Sequence, residues 1–350
     1  MRHELRALTS LRGIAAWFVV LYHIRLSVAG LAPGAVAFFA KGYLAVDFFF
    51  LLSGFVIWLT WHDRLRAPGA TVRFLQKRIA RIWPLHAVML AVAVALALLL
   101  NATGRRDPAF PFAELPLHVL LVQNWGFTDA LRWNDPAWSI SCELAAYLLF
   151  QLLMLAVDWR RLPTSALIGI AAALLAVLHV AMNGAASLGE HIARYGLIRC
   201  LCEFTIGTIL AAMFVRRQGR TPLMVAVVAT IAAIIAWVLG LPETLAAPAT
   251  FAGLLLTLAL TAGRRKHPLE GRAIHYCGEI SYATYLSHFL LWKAFKLPLA
   301  SATLPPWQIA CYLAAVLAAS VALYHGVERP AQRWINAMPI PRRRRLAPAE

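Results

Sequence analysis

Apolar residues run along this chain in long stretches, broken by short connections where the charged residues gather. A membrane crossing takes roughly 20 apolar residues, so about ten spans are expected. They lie near residues 9–28, 43–61, 84–101, 137–157, 164–182, 197–215, 222–240, 245–262, 279–297 and 307–326. Repeated runs of this length point to helices, which satisfy their own backbone polar groups in lipid. The expected fold is an all-α polytopic transmembrane helix bundle. It forms one domain over residues 1–336, with a short basic tail over 337–350 and no sequence repeat. The interval 102–136 is the longest connection. Its segment 111–125 is apolar but broken by prolines, which suits a stretch that lies in the interface or re-enters.

Composition sharpens this picture. Hydrophobic residues make up 61% of the chain and charged residues 14%, where a soluble domain carries about 25%. The net charge of +17 would suit a nucleic-acid binder, but its distribution does not. The basic residues sit in clusters between apolar runs, so the expected partners are a lipid bilayer and an anionic co-substrate, not nucleic acid. Arg64, Arg66, Arg73, Lys77, Arg78 and Arg81 crowd the second connection. Arg160 and Arg161 mark the fourth, and Arg216, Arg217 and Arg220 the sixth. Arg264, Arg265, Lys266 and Arg272 mark the eighth, and Arg342 to Arg345 end the chain. The connections between them are poorer in Lys and Arg, so the positive-inside rule places both termini in the cytoplasm. Arg2 and Arg6 before an apolar stretch, with Ser27-Val28-Ala29 after it, imitate a signal peptide. Arg12 and His23 interrupt that stretch, and a first span explains the same charges. The five cysteines lie mostly in apolar runs without metal-ligand spacing. They read as buried small apolar residues, and no metal is expected.

Ionisable residues inside spans are costly and therefore informative. Arg12 and His23 share the first span. Eleven residues are almost three whole turns, so both point the same way, about 16 Å apart along the axis. Arg12 falls near the cytoplasmic surface and His23 in the outer half. A snorkelling arginine and a packed histidine are the structural alternative. In the fourth span Ser139, Glu143 and Tyr147 are spaced to share one face. Glu143 falls at a depth similar to His23, where a carboxylate could fix an imidazole's tautomer. A polar network between helices explains that spacing equally well. Asp47 opens the second span near its outer end, and Ser53-Gly54 suits close helix approach. Arg199 and Glu203, four apart in the sixth span, read as a structural ion pair. In the ninth span Ser281, Tyr285 and His288 share a face, with His288 near mid-membrane. The stretch Phe74-Leu75-Gln76-Lys77-Arg78-Ile79-Ala80-Arg81-Ile82-Trp83-Pro84 precedes the third span. Its arginines could clamp phosphates, or could simply be positive-inside charge.

Taken in order, these segments resemble acyltransferase family 3, the membrane proteins that include polysaccharide O-acetyltransferases and nodulation-factor acyltransferases. The resemblance runs over residues 5–334 and rests on six motifs. These are Leu8-Thr9-Ser10-Leu11-Arg12-Gly13 with His23, Val46-Asp47-Phe48-Phe49-Phe50-Leu51-Leu52-Ser53-Gly54-Phe55, the basic stretch ending in Trp83-Pro84, Trp138-Ser139-Ile140-Ser141-Cys142-Glu143, Gly278-Glu279-Ile280-Ser281-Tyr282-Ala283-Thr284-Tyr285-Leu286-Ser287-His288, and Val327-Glu328-Arg329-Pro330. Ala45 stands where the family usually has Gly, and Ala146 where it usually has an aromatic residue.

The resemblance implies transfer of an acyl group, expected to be acetyl, from acyl-CoA to a hydroxyl or amine of a sugar-containing acceptor. It implies catalytic roles for Arg12, His23 and Glu143. Donor contacts are expected from Arg12, Lys77, Arg78 and Arg81. Contacts with the acceptor are expected from Asp47, Trp138, Ser139, Tyr285 and His288. The co-substrate is acetyl-CoA or another acyl-CoA, and the setting is the cytoplasmic (inner) membrane of a bacterium. A multi-pass transporter of a lipid-linked saccharide is the competing reading, since buried charge and many spans suit that class too.

Overall fold

A computed structural model describes residues 5–216, 220–262, 268–299 and 301–339. The basic residues Arg217, Arg264, Arg265, Lys266 and Arg342 to Arg345, and most of the expected tail, lie outside the described residues. Within them the chain forms α1 (Arg6–Ile24), α2 (Pro33–Ala40), α3 (Ala45–Trp61), α4 (Ala70–Ala102), α5 (Leu115–Val119), α6 (Ala137–Ala156), α7 (Thr164–Ala181), α8 (Ile192–Arg216), α9 (Arg220–Val238), α10 (Glu243–Thr261), α11 (Arg272–Glu279), α12 (Ser281–Lys296), α13 (Pro306–Leu323) and α14 (Arg329–Ala337). Among the described residues nine helical segments are long and apolar enough to cross a membrane. The protein is a multi-pass membrane helix bundle. The expected span at 279–297 is α12, with 16 residues. That is about 24 Å of helix, shorter than a full crossing.

Helices α3 and α8 form the centre. Their close approach has a local cause: a side chain at Gly54 would collide with the backbone of Phe204, and one at Gly207 with that of Leu51. Without Cβ atoms the backbones meet directly, as small residues allow in lipid. Gly13 on α1 and Gly278 at the end of α11 do the same, the first lying 2.7 Å, by its absent Cβ, from the Gly278 backbone. Helix α9 lies outside, with Met224, Val225, Val228 and Ile231 exposed. A helix apolar all round and open on its flank is a lipid-facing helix.

The two ends of the bundle differ in charge. At one end Arg160 bonds Asp63 and Asp158, and Arg216 bonds the carbonyl oxygens of Trp159 and Leu162. These contacts tie the connections after α3 and α6 to the end of α8. Gln76 near the start of α4 donates to the carbonyl oxygens of Ile335 and Met338, so α14 docks at this basic end as well. At the opposite end Glu243 accepts from Lys41 at 2.5 Å, from Tyr43 and from the Leu188 backbone.

Two segments differ from the expectation. The basic stretch before the third span is not a connection, because α4 runs unbroken for 33 residues with Pro84 inside it. It spans about 50 Å, far more than the hydrocarbon thickness, and so carries its arginines on the same rigid rod as its apolar half. The long connection after α4 folds back along that helix. His86 Nε2 donates to the His118 carbonyl and Trp83 Nε1 to that of Val119, roughly four turns before α4 ends. Asn124 and Trp125 then bond Ser141 on α6. The part of this connection that packs against the bundle, His118, Leu121, Gln123 and Asn124, is buried.

Candidate active site

A cavity of about 480 Å³ opens between α1, α3, α4, α6 and α12. Three guanidinium groups line it, those of Arg12, Arg78 and Arg81. Each is positioned differently. Arg12 donates from Nε to Ser281 Oγ at 2.8 Å and from Nη2 to the Gly278 carbonyl at 2.7 Å, a reach made possible by the Gly13–Gly278 contact. Arg81 pairs with Glu328, which is buried in a five-residue π-helical turn between α13 and α14. Arg78 lies over the rings of Phe74 and Tyr147, and its buried Nε has no hydrogen-bond partner. Neither Arg12 nor Arg78 makes an ion pair among the described residues, so the three guanidinium groups outnumber the two carboxylates near them, Glu143 and Glu328.

Glu143 faces the same cavity and accepts a hydrogen bond from Ser53 of α3. Ser139 and Tyr285 close the far wall with Phe49, Ser139 Oγ lying 2.8 Å from Tyr285 Oη. The cavity is therefore amphipathic: its lining combines three guanidinium groups, a carboxylate, hydroxyls and aromatic rings. That lining suits a ligand with an anionic head and a thin arm.

His23 lies beyond that wall. Its Nδ1 is 2.9 Å from the Val19 carbonyl and 3.2 Å from His288 Nε2. The expected neighbourhood of His23 and Glu143 is thus not made, because Glu143 turns toward α3 while His23 turns toward α12. The rise from Arg12 to His23 remains about 16 Å.

The other expected site residues lie apart from the cavity. Asp47 is fully buried and takes two bonds from Arg199, at 2.6 Å from Nε and 2.5 Å from Nη2. The expected Arg199–Glu203 pair is replaced by this one, since the close α3–α8 contact brings a carboxylate that can meet the guanidinium side-on. The buried Glu203 carboxyl also lies within hydrogen-bond reach of Asp47. Trp138 packs under Arg199, whose Cζ is 5.4 Å from its ring centroid. Lys77 sits beside Trp61, outside the cavity lining. Two groups around the cavity carried no assignment in the sequence, Glu328 and Ser53. The signal for Glu328 was its place in the Val327-Glu328-Arg329-Pro330 motif, which gives no partner, and Ser53 was read only as part of a close helix approach.

Outside the spans, the connection before α6 carries Asp135. Burial pushes its carboxyl up to about 6, with Lys293 opposing and Asp107 reinforcing the shift. For Asp107 burial also acts upward, but the Ala109 backbone N–H and Lys293 hold it below the usual carboxylate range.

Comparison with known proteins agrees with the resemblance of the motifs. The acyltransferase domain model of family 3 matches residues 5–325. The acyltransferase MdmB of Streptomyces mycarofaciens is 32% identical over 317 residues, covering 82% of this chain and 79% of that protein. Protein 2 in the picA locus of Rhizobium radiobacter is 34% identical over 155 residues, covering 39% of this chain and 75% of that protein. No solved structure matches the chain significantly. A match that runs from the first helix to the π-helical turn, and so includes every arginine of the cavity, makes this chain a member of acyltransferase family 3, a multi-pass membrane acyltransferase.

Proposed function

We propose that the protein moves an acetyl group from acetyl-CoA to a hydroxyl of a sugar-containing acceptor at the cytoplasmic membrane of a bacterium. The observation that carries this reading is the cavity with three arginines, two of them without an ion pair among the described residues. Phosphates of the donor meet Arg12, Arg78 and Arg81 as charge-assisted pairs. Both termini face the cytoplasm, so the donor enters at the basic end, where Arg160, Arg216 and α14 gather. The Ser53 hydroxyl oxygen and the Glu143 carboxylate offer acceptors to the amide N–H groups of the pantetheine arm.

The thioester is delivered past the Tyr285 wall to His23. There the acceptor hydroxyl loses its proton to the imidazole as its oxygen attacks the thioester carbonyl. The sulfur leaves with the bonding electrons and takes that proton as CoA thiol. Asp47 acts indirectly, by fixing α3 through Arg199. The test is thiol release from acetyl-CoA by the purified protein, supplied in turn with candidate sugars. Acceptor-dependent release supports the reading. Binding or translocation of a saccharide with no CoA consumed would replace it with the transporter reading.

A further inference from the structure

The His23–His288 contact joins two residues far apart in sequence, and its atoms allow one arrangement of protons. His288 is fully buried. Its Nδ1 lies 2.7 Å from the Tyr285 carbonyl oxygen and 3.2 Å from that of Thr284. Carbonyl oxygens only accept, so His288 Nδ1 carries a hydrogen. In the neutral ring its Nε2 is then a lone pair. That lone pair faces His23 Nδ1 at 3.2 Å. His23 Nδ1 also faces the Val19 carbonyl at 2.9 Å. Both neighbours of His23 Nδ1 are acceptors, so this atom carries the hydrogen and shares it between them. A proton on His288 Nε2 instead would oblige His23 Nδ1 to accept, leaving two lone pairs opposed at 2.9 Å. His23 Nε2 is consequently the unprotonated nitrogen. Among the described residues it makes no hydrogen bond, and it is not fully shut off from solvent.

We propose that His288 is a positioning residue that holds His23 in the Nδ1–H tautomer and aims a free Nε2 lone pair at the acceptor. The inference rests on His23 being the base of the proposed reaction. When His23 Nε2 takes the proton from the acceptor hydroxyl, the ring becomes an imidazolium. Its Nδ1–H bond to His288 Nε2 is then charge-assisted and strengthens as the charge develops, so it favours the transition state over the ground state. Tyr312, whose Oη donates to the His288 carbonyl at 2.9 Å, fixes the backbone from which this ring projects.

Two substitutions test the assignment in the full-length purified protein. His288→Leu removes the acceptor, and His288→Gln can supply an amide oxygen near the same place. The Leu variant should lose about ten- to hundredfold in kcat, with KM for acetyl-CoA and for the sugar nearly unchanged. The Gln variant should recover much of that loss. A Leu variant with wild-type kcat, or a folded Gln variant no better than Leu, overturns the proposal. If the Leu variant fails to fold, histidine-labelled wild-type protein still decides by NMR. The His23 signal, identified by its loss in His23→Gln, should be that of the Nδ1–H tautomer, and an Nε2–H signal overturns the proposal. Activity in His23→Ala would instead remove the reading on which it rests. An inactive His23→Ala beside a fully active His288→Leu removes this inference alone.

Discussion

Arg199 of α8 and Asp47 of α3 meet side-on, two nitrogens against two oxygens at 2.6 and 2.5 Å, with both side chains shut off from solvent. A buried pair of this kind is weak evidence of net stabilisation, but removing one partner strands the other. Asp47→Asn or Arg199→Leu should therefore destabilise the fold by about 3–5 kcal/mol. Glu203→Gln should cost far less, because an amide N–H can keep the contact with Asp47. Thermal unfolding in detergent orders the three variants. An Asp47→Asn protein as stable as wild type would show that the pair does not hold α3 to α8.

The cavity arginines should separate by what they leave behind. Arg78 makes no ion pair among the described residues, so Arg78→Ala should weaken CoA binding about tenfold or more, at the strength of one charge-assisted bond, with little change in stability. Arg81→Ala should weaken binding and also lower the unfolding temperature, since it abandons the buried Glu328. Calorimetric titration with CoA, paired with melting curves, checks both. Unchanged affinity in Arg78→Ala would reject its phosphate role.

Close helix contact gives a third expectation. Gly54→Ala would push a methyl group into the Phe204 carbonyl and force α3 away from α8. A cost of about 1–3 kcal/mol is expected for such overpacking. Gly30→Ala is no control, because its positive φ strains any side chain, whereas Gly34→Ala, facing open space, should be silent.

Most of the spans were legible because length and apolarity alone decide them. The separation of Arg12 and His23 along one helix was also legible, since α1 carries both. The partners were not. Arg199 had Glu203 one turn away in its own helix, yet it binds a carboxylate brought by the glycine contact with α3. Glu143 matches His23 in counted depth, but it faces Ser53, while the imidazole finds His288 on α12. Periodicity gives the face of a helix and its height, but not which neighbour packs there. Pro84 looked like the start of a span because proline disfavours a helix interior. Within the bundle, α4 continues through it and carries Arg78 and Arg81 on the same rod.

A pH prediction follows from Asp135. Its folded carboxyl titrates at about 6, above the ordinary value of 3.8. The folded state binds more protons than the unfolded state between these values, so stability falls as pH rises through that window. Asp135→Asn should be more stable than wild type at pH 7, and the gain should vanish near pH 4. Unfolding temperatures of both proteins across this range test it, and a gain independent of pH would contradict it.

The most direct test of the proposed transfer is made on His23. Purified His23→Ala protein, given acetyl-CoA and an acceptor that supports wild-type turnover, should release no thiol above background. It should still bind CoA and melt as wild type does. Thiol release at the wild-type rate would contradict the placement of the reaction at this imidazole.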